Sequence, residues 1–268
     1  MPFFISYFKT WAAVCLAGLV YVSAPGIAFA ESAADATTTS AAVADPVAYL
    51  KAQLSRLPED NKLVVEHLLA FPRDGSHDYW WPKDKANAYD GSTTDVLLNG
   101  LIAMKGEPGG RSFCCGLTLQ IFYDVLNSPG HMEASFSTET LSQIKGLWFC
   151  RKLLSPGPDD ALSFLGLGKR IVDPEKALPG DFVQIWRNDK SGHSVIFISW
   201  IKNTGGQISG LQYWSTQIAT HGIGFHSEQV GIGKHMIDMA HTVVSRLELP
   251  RSAQAASAVA KATPAVAN

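Results

Sequence analysis

Two adjacent cysteines, Cys114 and Cys115, open an apolar run in the stretch GGRSFCCGLTLQIF, residues 109–122. A thiol does nucleophilic chemistry as thiolate, and position along the chain decides whether thiolate is favoured. Apolar positions 114, 117, 121, 122 and 125 recur at helical spacing behind the loop KGEPGGRSF, which predicts a helix that starts at the cysteines. There a sulfur meets the positive end of the helix dipole and unpaired backbone N–H groups, both of which stabilise its charge. To cut an amide at neutral pH the thiolate also wants a neighbouring imidazole, and the imidazole wants a polar partner that holds its tautomer.

Of the eight histidines, His193 is the best placed, because it joins the turn NDKSGH to the apolar run SVIFISWI, a rigid seat for a base. His221 and His226 flank GIGF, His235 follows another pair of glycines, and His67, His77, His131 and His241 lie where no chemical signal surrounds them. None of these spacings, with or without the cysteines, is that of a zinc site, so neither a metal nor a cofactor is expected. For the third group, strand alternation in LQYWSTQ puts Tyr213, Ser215 and Gln217 on one face and Gln212, Trp214 and Thr216 on the other. The Gln217 carbonyl can accept from the imidazole N–H, while Ser215 is shorter and the weaker candidate.

The compartment bears on how the cysteines are read. Lys9 is the only charge before Glu31, an apolar run extends from Trp11 to Val22, and Ala28-Phe29-Ala30 fits a small-x-small cleavage pattern. Residues 1–30 therefore read as a cleaved secretory signal. Ser23, Pro25 and Gly26 break the run before the roughly 20 residues that a span requires, so no stable membrane anchor is expected. Cys15 follows Ala-Ala-Val, which is no lipobox. The expected location is periplasmic or extracellular, and the mature chain keeps Cys114, Cys115 and Cys150, an odd count that leaves one thiol unpaired unless it bonds another chain. A bridge from Cys114 or Cys115 to Cys150, or between the two neighbours, stays open at this level. A net charge of about −3 after cleavage, with no basic stripe, argues against nucleic acid as partner.

The elements that must position these residues lie between two stretches of small residues, a linker at 31–44 and a tail at 251–268, both predicted to be disordered. One domain is expected over 45–250. Asp45-Pro46 with Val47, Leu50, Leu54 and Leu57 predicts an opening helix, and Leu63, Val64, His67 and Leu68 a second that ends at Pro72. The polar segment that follows carries Tyr79, Trp80, Trp81 and Tyr89 and reads chiefly as a loop tacked onto the core, with a cleft floor as the other reading. STETLSQIKGLWFC (137–150) is predicted helical and stopped by SPGPDD. From there the period changes: strands are predicted at 182–187, 194–201, 210–217 and 241–249. Helices first and consecutive strands afterwards imply an α+β domain with an antiparallel sheet.

At this point the residues resemble a family. FCCGL at a helix start, PGDFVQIW opening a strand and GHSVIFI on the next are similar to the NlpC family of papain-like cell-wall peptidases, with its C-S-G-[LF], P-G-D-[LV] and G-H-V-[AG]-[IV] pattern. The similarity covers roughly 109–217. It implies a papain-like fold, N-terminal helices packed on an antiparallel sheet, and a cysteine peptidase or amidase whose substrate is peptidoglycan or another peptide or amide. By position Cys114 matches the nucleophile, Cys115 the small residue after it and His193 the base, with the third polar residue on the next strand. Cys114 and Cys115 stand about 100° apart on a helix, so one can face the cleft while the other faces another side and simply packs. The chain departs from the pattern at Phe113, where an Asp commonly precedes the cysteine, in an insertion around 128–178, and at the third position, which is no obvious His. Other readings are a thiol amidase or acyltransferase on a non-wall substrate, and a non-catalytic secreted binding protein.

Overall fold

The computed structural model describes residues 42–82, 89–129 and 136–250. The expected signal segment, most of the linker, the tail and His131 lie outside the described residues.

Helix α1, Pro46–Gln53, begins where the sequence calls for it: Asp45 Oδ1 accepts from the N–H groups of Val47 and Ala48, each at 3.0 Å, and Pro46 occupies the first turn. Helix α2 runs Glu59–Ala70. A short hairpin, β1 (Val96–Leu98) and β2 (Leu101–Met104), turns on Asn99-Gly100, both with positive φ. Helices α3 (Cys114–Leu126) and α4 (Thr138–Trp148) follow, α4 capped by Ser137 Oγ, which accepts from Thr140 N–H.

SPGPDD does not stop α4, which already ends at Trp148, with Cys150 at positive φ just beyond it. Pro158 sits in the first turn of a further helix, α5 (Pro158–Leu165), with Asp159 and Asp160 at its positive end and Gly166 as a left-handed C-cap.

Strands β3 (Gly168–Arg170), β4 (Phe182–Trp186), β5 (Gly192–Lys202), β6 (Ile208–Gln217), β7 (Gly222–Gln229) and β8 (Val243–Leu247) form one six-stranded antiparallel sheet in the order β3-β8-β4-β5-β6-β7. The chain is thus α+β. Helix α3 packs on β5 and β6 with every residue but Asp124 buried, which makes it the rigid centre of the domain. The helix-side core takes in Leu117, Ile121, Trp148, Ile196 and Trp214. The opposite face of the sheet has its own apolar layer, including Val183, Val195, Phe197 and Tyr213, against Ile237 and the partly buried Ile171 and Val230.

Asp181 ties the two halves together. Fully buried at the start of β4, its carboxylate receives Arg246 Nε and Nη2 at 2.9 and 2.8 Å, Asn61 Nδ2 at 2.8 Å and the Leu178 N–H at 2.8 Å. Helix α2, β8 and the turn before β4 therefore converge on one side chain. Gly180 precedes it with φ +91°, and a Cβ there would stand 2.6 Å from the Asn61 carbonyl oxygen, which explains why this turn is PGD.

The linker is not wholly loose. Val43 N–H donates to Gln212 Oε1 at 2.9 Å and its carbonyl accepts from Gln212 Nε2 at 3.1 Å, so a side-chain amide pins the last residues of the segment expected to be disordered.

Candidate active site

Helix α3 enters from an extended Phe113, with no side-chain cap on its first turn. The N–H groups of that turn are left without intrahelical partners beside Cys114 and Cys115. Gly116 lets the turn come this close to the preceding chain: a Cβ on it would stand 2.2 Å from the Asp90 carbonyl oxygen. Thr118 Oγ1 donates to the Cys114 carbonyl at 3.1 Å and accepts from Trp148 Nε1 at 3.0 Å, which anchors the cysteine end of α3 to α4.

His193, near the start of β5, lies almost buried opposite Ile185 of β4. Continuing the Ile196–Trp214 register of β5 and β6 by three residues brings Gln217 opposite His193. Their side chains meet there, His193 Nε2 to Gln217 Oε1 at 2.9 Å. That contact occupies one edge of the ring and leaves Nδ1 for the sulfur. A hydrogen bond from the Cys115 thiol, the charge and hydrogen bond of His193 and the Ser194 backbone N–H hold Cys114 well below the ordinary thiol range, against the burial that pushes it up.

The two neighbouring cysteines share one hydrogen bond, and His193 breaks the symmetry between them. It favours charge on Cys114, so Cys115 keeps its proton and donates; that bond and burial push the Cys115 thiol far up. This corrects the expectation that Cys115 faces away. Both cysteines line the same cavity, because the first turn of α3 is presented end-on and a 100° rotation still leaves two short side chains on its rim.

The cavity measures about 260 Å3 and is walled by Trp81, Phe149 and Trp186. Gln184 and Ser194 also line it, bonded to each other through Ser194 Oγ and Gln184 Oε1 at 2.6 Å. Cys150 is a third thiol on its wall, pushed up to about 12 chiefly by burial. All three cysteines are free thiols, with none of the bridges that the sequence left open.

Trp81 stacks edge-on against Phe113 with ring centroids 5.2 Å apart. The aromatic segment is therefore part of the cavity and not merely a loop on the core. Tyr79, from the same segment, has its phenol raised to about 12 by burial first and then by the charge of the nearby Cys114.

Ser215 is not brought to the imidazole. It is buried and its Oγ donates to the Ser194 carbonyl at 2.9 Å, bracing β5 against β6. Four of the other described histidines find different company: His77 Nδ1 with the Gly110 carbonyl, His67 with Ser128, His235 with Asp189 and His241 with Asp238. A larger groove of about 700 Å3 along α4 has none of Cys114, His193 and Gln217 in its lining. Among the described residues no cluster of three His, Cys, Asp or Glu side chains is placed to hold a metal ion, and no helix is long and apolar enough to cross a membrane.

Trp81 fits the cleft-floor reading of the aromatic segment, whereas nothing in the sequence marks Phe149 or Trp186 as cavity walls. The cluster of aromatics at 79–89 was the one visible signal. No protein-family model, curated protein or solved structure matches the chain.

Proposed function

We propose that the chain is an exported cysteine hydrolase of peptide or amide bonds, of the NlpC papain-like type, acting on peptidoglycan stem peptides. The observation that carries this reading is the line Cys114–His193–Gln217: a sulfur favoured as thiolate at a helix N-terminus, an imidazole beside it, and an amide carbonyl on the far ring nitrogen.

In this reading the Cys114 thiolate adds to the scissile carbonyl carbon and the carbonyl π electrons move to oxygen. The unpaired N–H groups of the first turn of α3, and the nearby Tyr79 hydroxyl, supply donors for the oxyanion. As the C–N bond breaks, His193 gives its Nδ1 proton to the leaving amine, and an acyl-thioester remains. Water then attacks the thioester, losing a proton to His193, and Cys114 leaves as thiolate. Gln217 accepts from Nε2–H throughout, so the ring never has to turn.

Digestion of purified cell wall with the mature protein, followed by mass spectrometry, tests this. New amine and carboxyl ends are expected with the wild type and not with Cys114→Ala. An undigested wall, with Cys114 shown to be a free thiol, overturns the wall assignment. Turnover of a small amide or thioester by that same sample would point to the non-wall amidase or acyltransferase reading, and no turnover of either to a binding protein.

A further inference from the structure

Behind Gln217 lies a chain of side chains that the cleavage steps do not use. Tyr213 Oη stands 2.8 Å from Gln217 Oε1 and 2.5 Å from Glu228 Oε1. Glu228 is gripped by Arg187 through two parallel bonds, Nε at 2.6 Å and Nη2 at 2.7 Å. The three residues come from β6, β7 and the position just after β4, so the chain of side chains reaches across β5 to link strands that are not all neighbours in the sheet.

Gln217 needs such a support. Its Nε2 is buried without a partner among the described residues, so its amide is held only through Oε1. The terminal amide torsion of a glutamine is broad, and one hydrogen bond to a ring that itself must stay in place does not fix it. A second bond to a fully buried phenol does. The phenol has a single proton for two acceptors, so it bonds the Gln217 oxygen only while that proton is not given to Glu228, and the doubly bonded Arg187–Glu228 pair keeps the phenol oxygen within reach of Gln217.

We propose that Tyr213, clamped by Glu228 and Arg187, is a positioning residue that holds the Gln217 carbonyl against Nε2 of His193 and thereby keeps Nδ1 aimed at Cys114. The Tyr213 ring also packs edge-on against His193, with centroids 5.5 Å apart, and against His226 at 5.8 Å. The charged and titratable groups that face this cluster are Cys114 from α3, Arg187 after β4, His193 on β5, His226 and Glu228 on β7, and Tyr79 from the aromatic segment.

The proposal rests on the Cys114–His193 reading, but its test needs no wall substrate. Tyr213→Phe keeps both ring contacts and removes only the hydroxyl. The rate of Cys114 alkylation by iodoacetamide is measured against pH in the full mature chain for the wild type, Tyr213→Phe, Gln217→Ala and the double variant, each checked for folding by thermal melting. Tyr213→Phe is expected to move the low-pH limb of the profile upward by about one pH unit, with about a tenfold slower reaction below it. The double variant is expected to match Gln217→Ala alone, because Tyr213 acts through Gln217. An unmoved profile in Tyr213→Phe, or effects that add in the double variant, overturns the proposal. A protein that cleaves no peptidoglycan can still show this coupling, and one that cleaves it can still lack it.

Discussion

Gln217 faces His193 across β5 and β6, its Oε1 2.9 Å from the ring Nε2, while its neighbour Thr216 is buried with a hydroxyl that has no partner among the described residues. The two side chains leave the strand on opposite faces, so only one can steer the imidazole. Gln217→Ala is expected to lower kcat/KM on a peptide substrate by roughly tenfold or more, because the ring loses the acceptor that fixes its tautomer. Thr216→Ala is expected to cost much less activity. Equal losses would reject Gln217 as the orienting group.

The cysteines make a prediction that the pH axis can separate. Cys114 is held low, so its alkylation is expected to stay fast well below the range where an ordinary thiol, near 8.5, becomes reactive. The sign follows from the charged form: lowering a thiol's pKa extends the thiolate to more acid solution, and removing a stabilising donor withdraws it. Cys115→Ala takes away the hydrogen bond to the Cys114 sulfur and is expected to shift the limb upward by about one pH unit. Cys115→Ser keeps a donor and is expected to retain much of the reactivity and the activity. Cys114→Ala is expected to abolish both, since Cys150, pushed up to about 12, is almost wholly protonated at neutral pH. Mass spectrometry of the alkylated peptides identifies the residue, and label on Cys115 with Cys114 untouched would reverse the assignment.

Much of this arrangement was legible in the sequence because it depends on local rules. The period change from 3.6 to 2 separates the helices from the sheet, Asp45-Pro46 and Ser137 mark two helix starts, and parity alone puts Tyr213 and Gln217 on one face. Register was legible only by luck: shifts between Phe197 and Ser199 and between Ile201 and Lys202 offset each other, so a straight count from the hairpin lands on the same pairing. What stayed hidden depends on contacts between distant segments. The strand at 222–229 reads as glycine-rich turn chemistry, and its Glu228 gains meaning only opposite Arg187 and Tyr213. Ser215 and Gln217 share a face, yet the twist of the pair sends one to a backbone carbonyl and the other to the imidazole. The aromatic segment at 79–82 allows two readings from sequence, a loop on the core or a cleft floor, and the place of Trp81 beside the cysteines favours the second.

The last prediction concerns what the cavity admits. Apart from the reacting pair, the described residues that line it are Trp81, Phe149, Trp186, Gln184, Gly192, Ser194 and the thiols of Cys115 and Cys150, and among the described residues no carboxylate, lysine or arginine joins them. Its polar groups are largely spent on the protein itself: Ser194 on Gln184, Gln184 Nε2 on the Ile185 carbonyl at 3.1 Å and Trp186 Nε1 on the Ser155 carbonyl at 3.0 Å. A charged substrate side chain that enters gives up water and finds no counter-ion, which costs several kcal/mol unless it is neutralised, whereas an apolar one gains about 25 cal/mol for each Å2 it buries. Chloromethyl ketones that differ only in the side chain next to the reactive carbonyl test this without any knowledge of the natural substrate. Those with alanine, leucine or phenylalanine side chains are expected to alkylate Cys114 at least about tenfold faster than those with glutamate or lysine, a discrimination of about 1.4 kcal/mol. Equal rates across the series would show that the group beside the scissile bond binds outside this cavity.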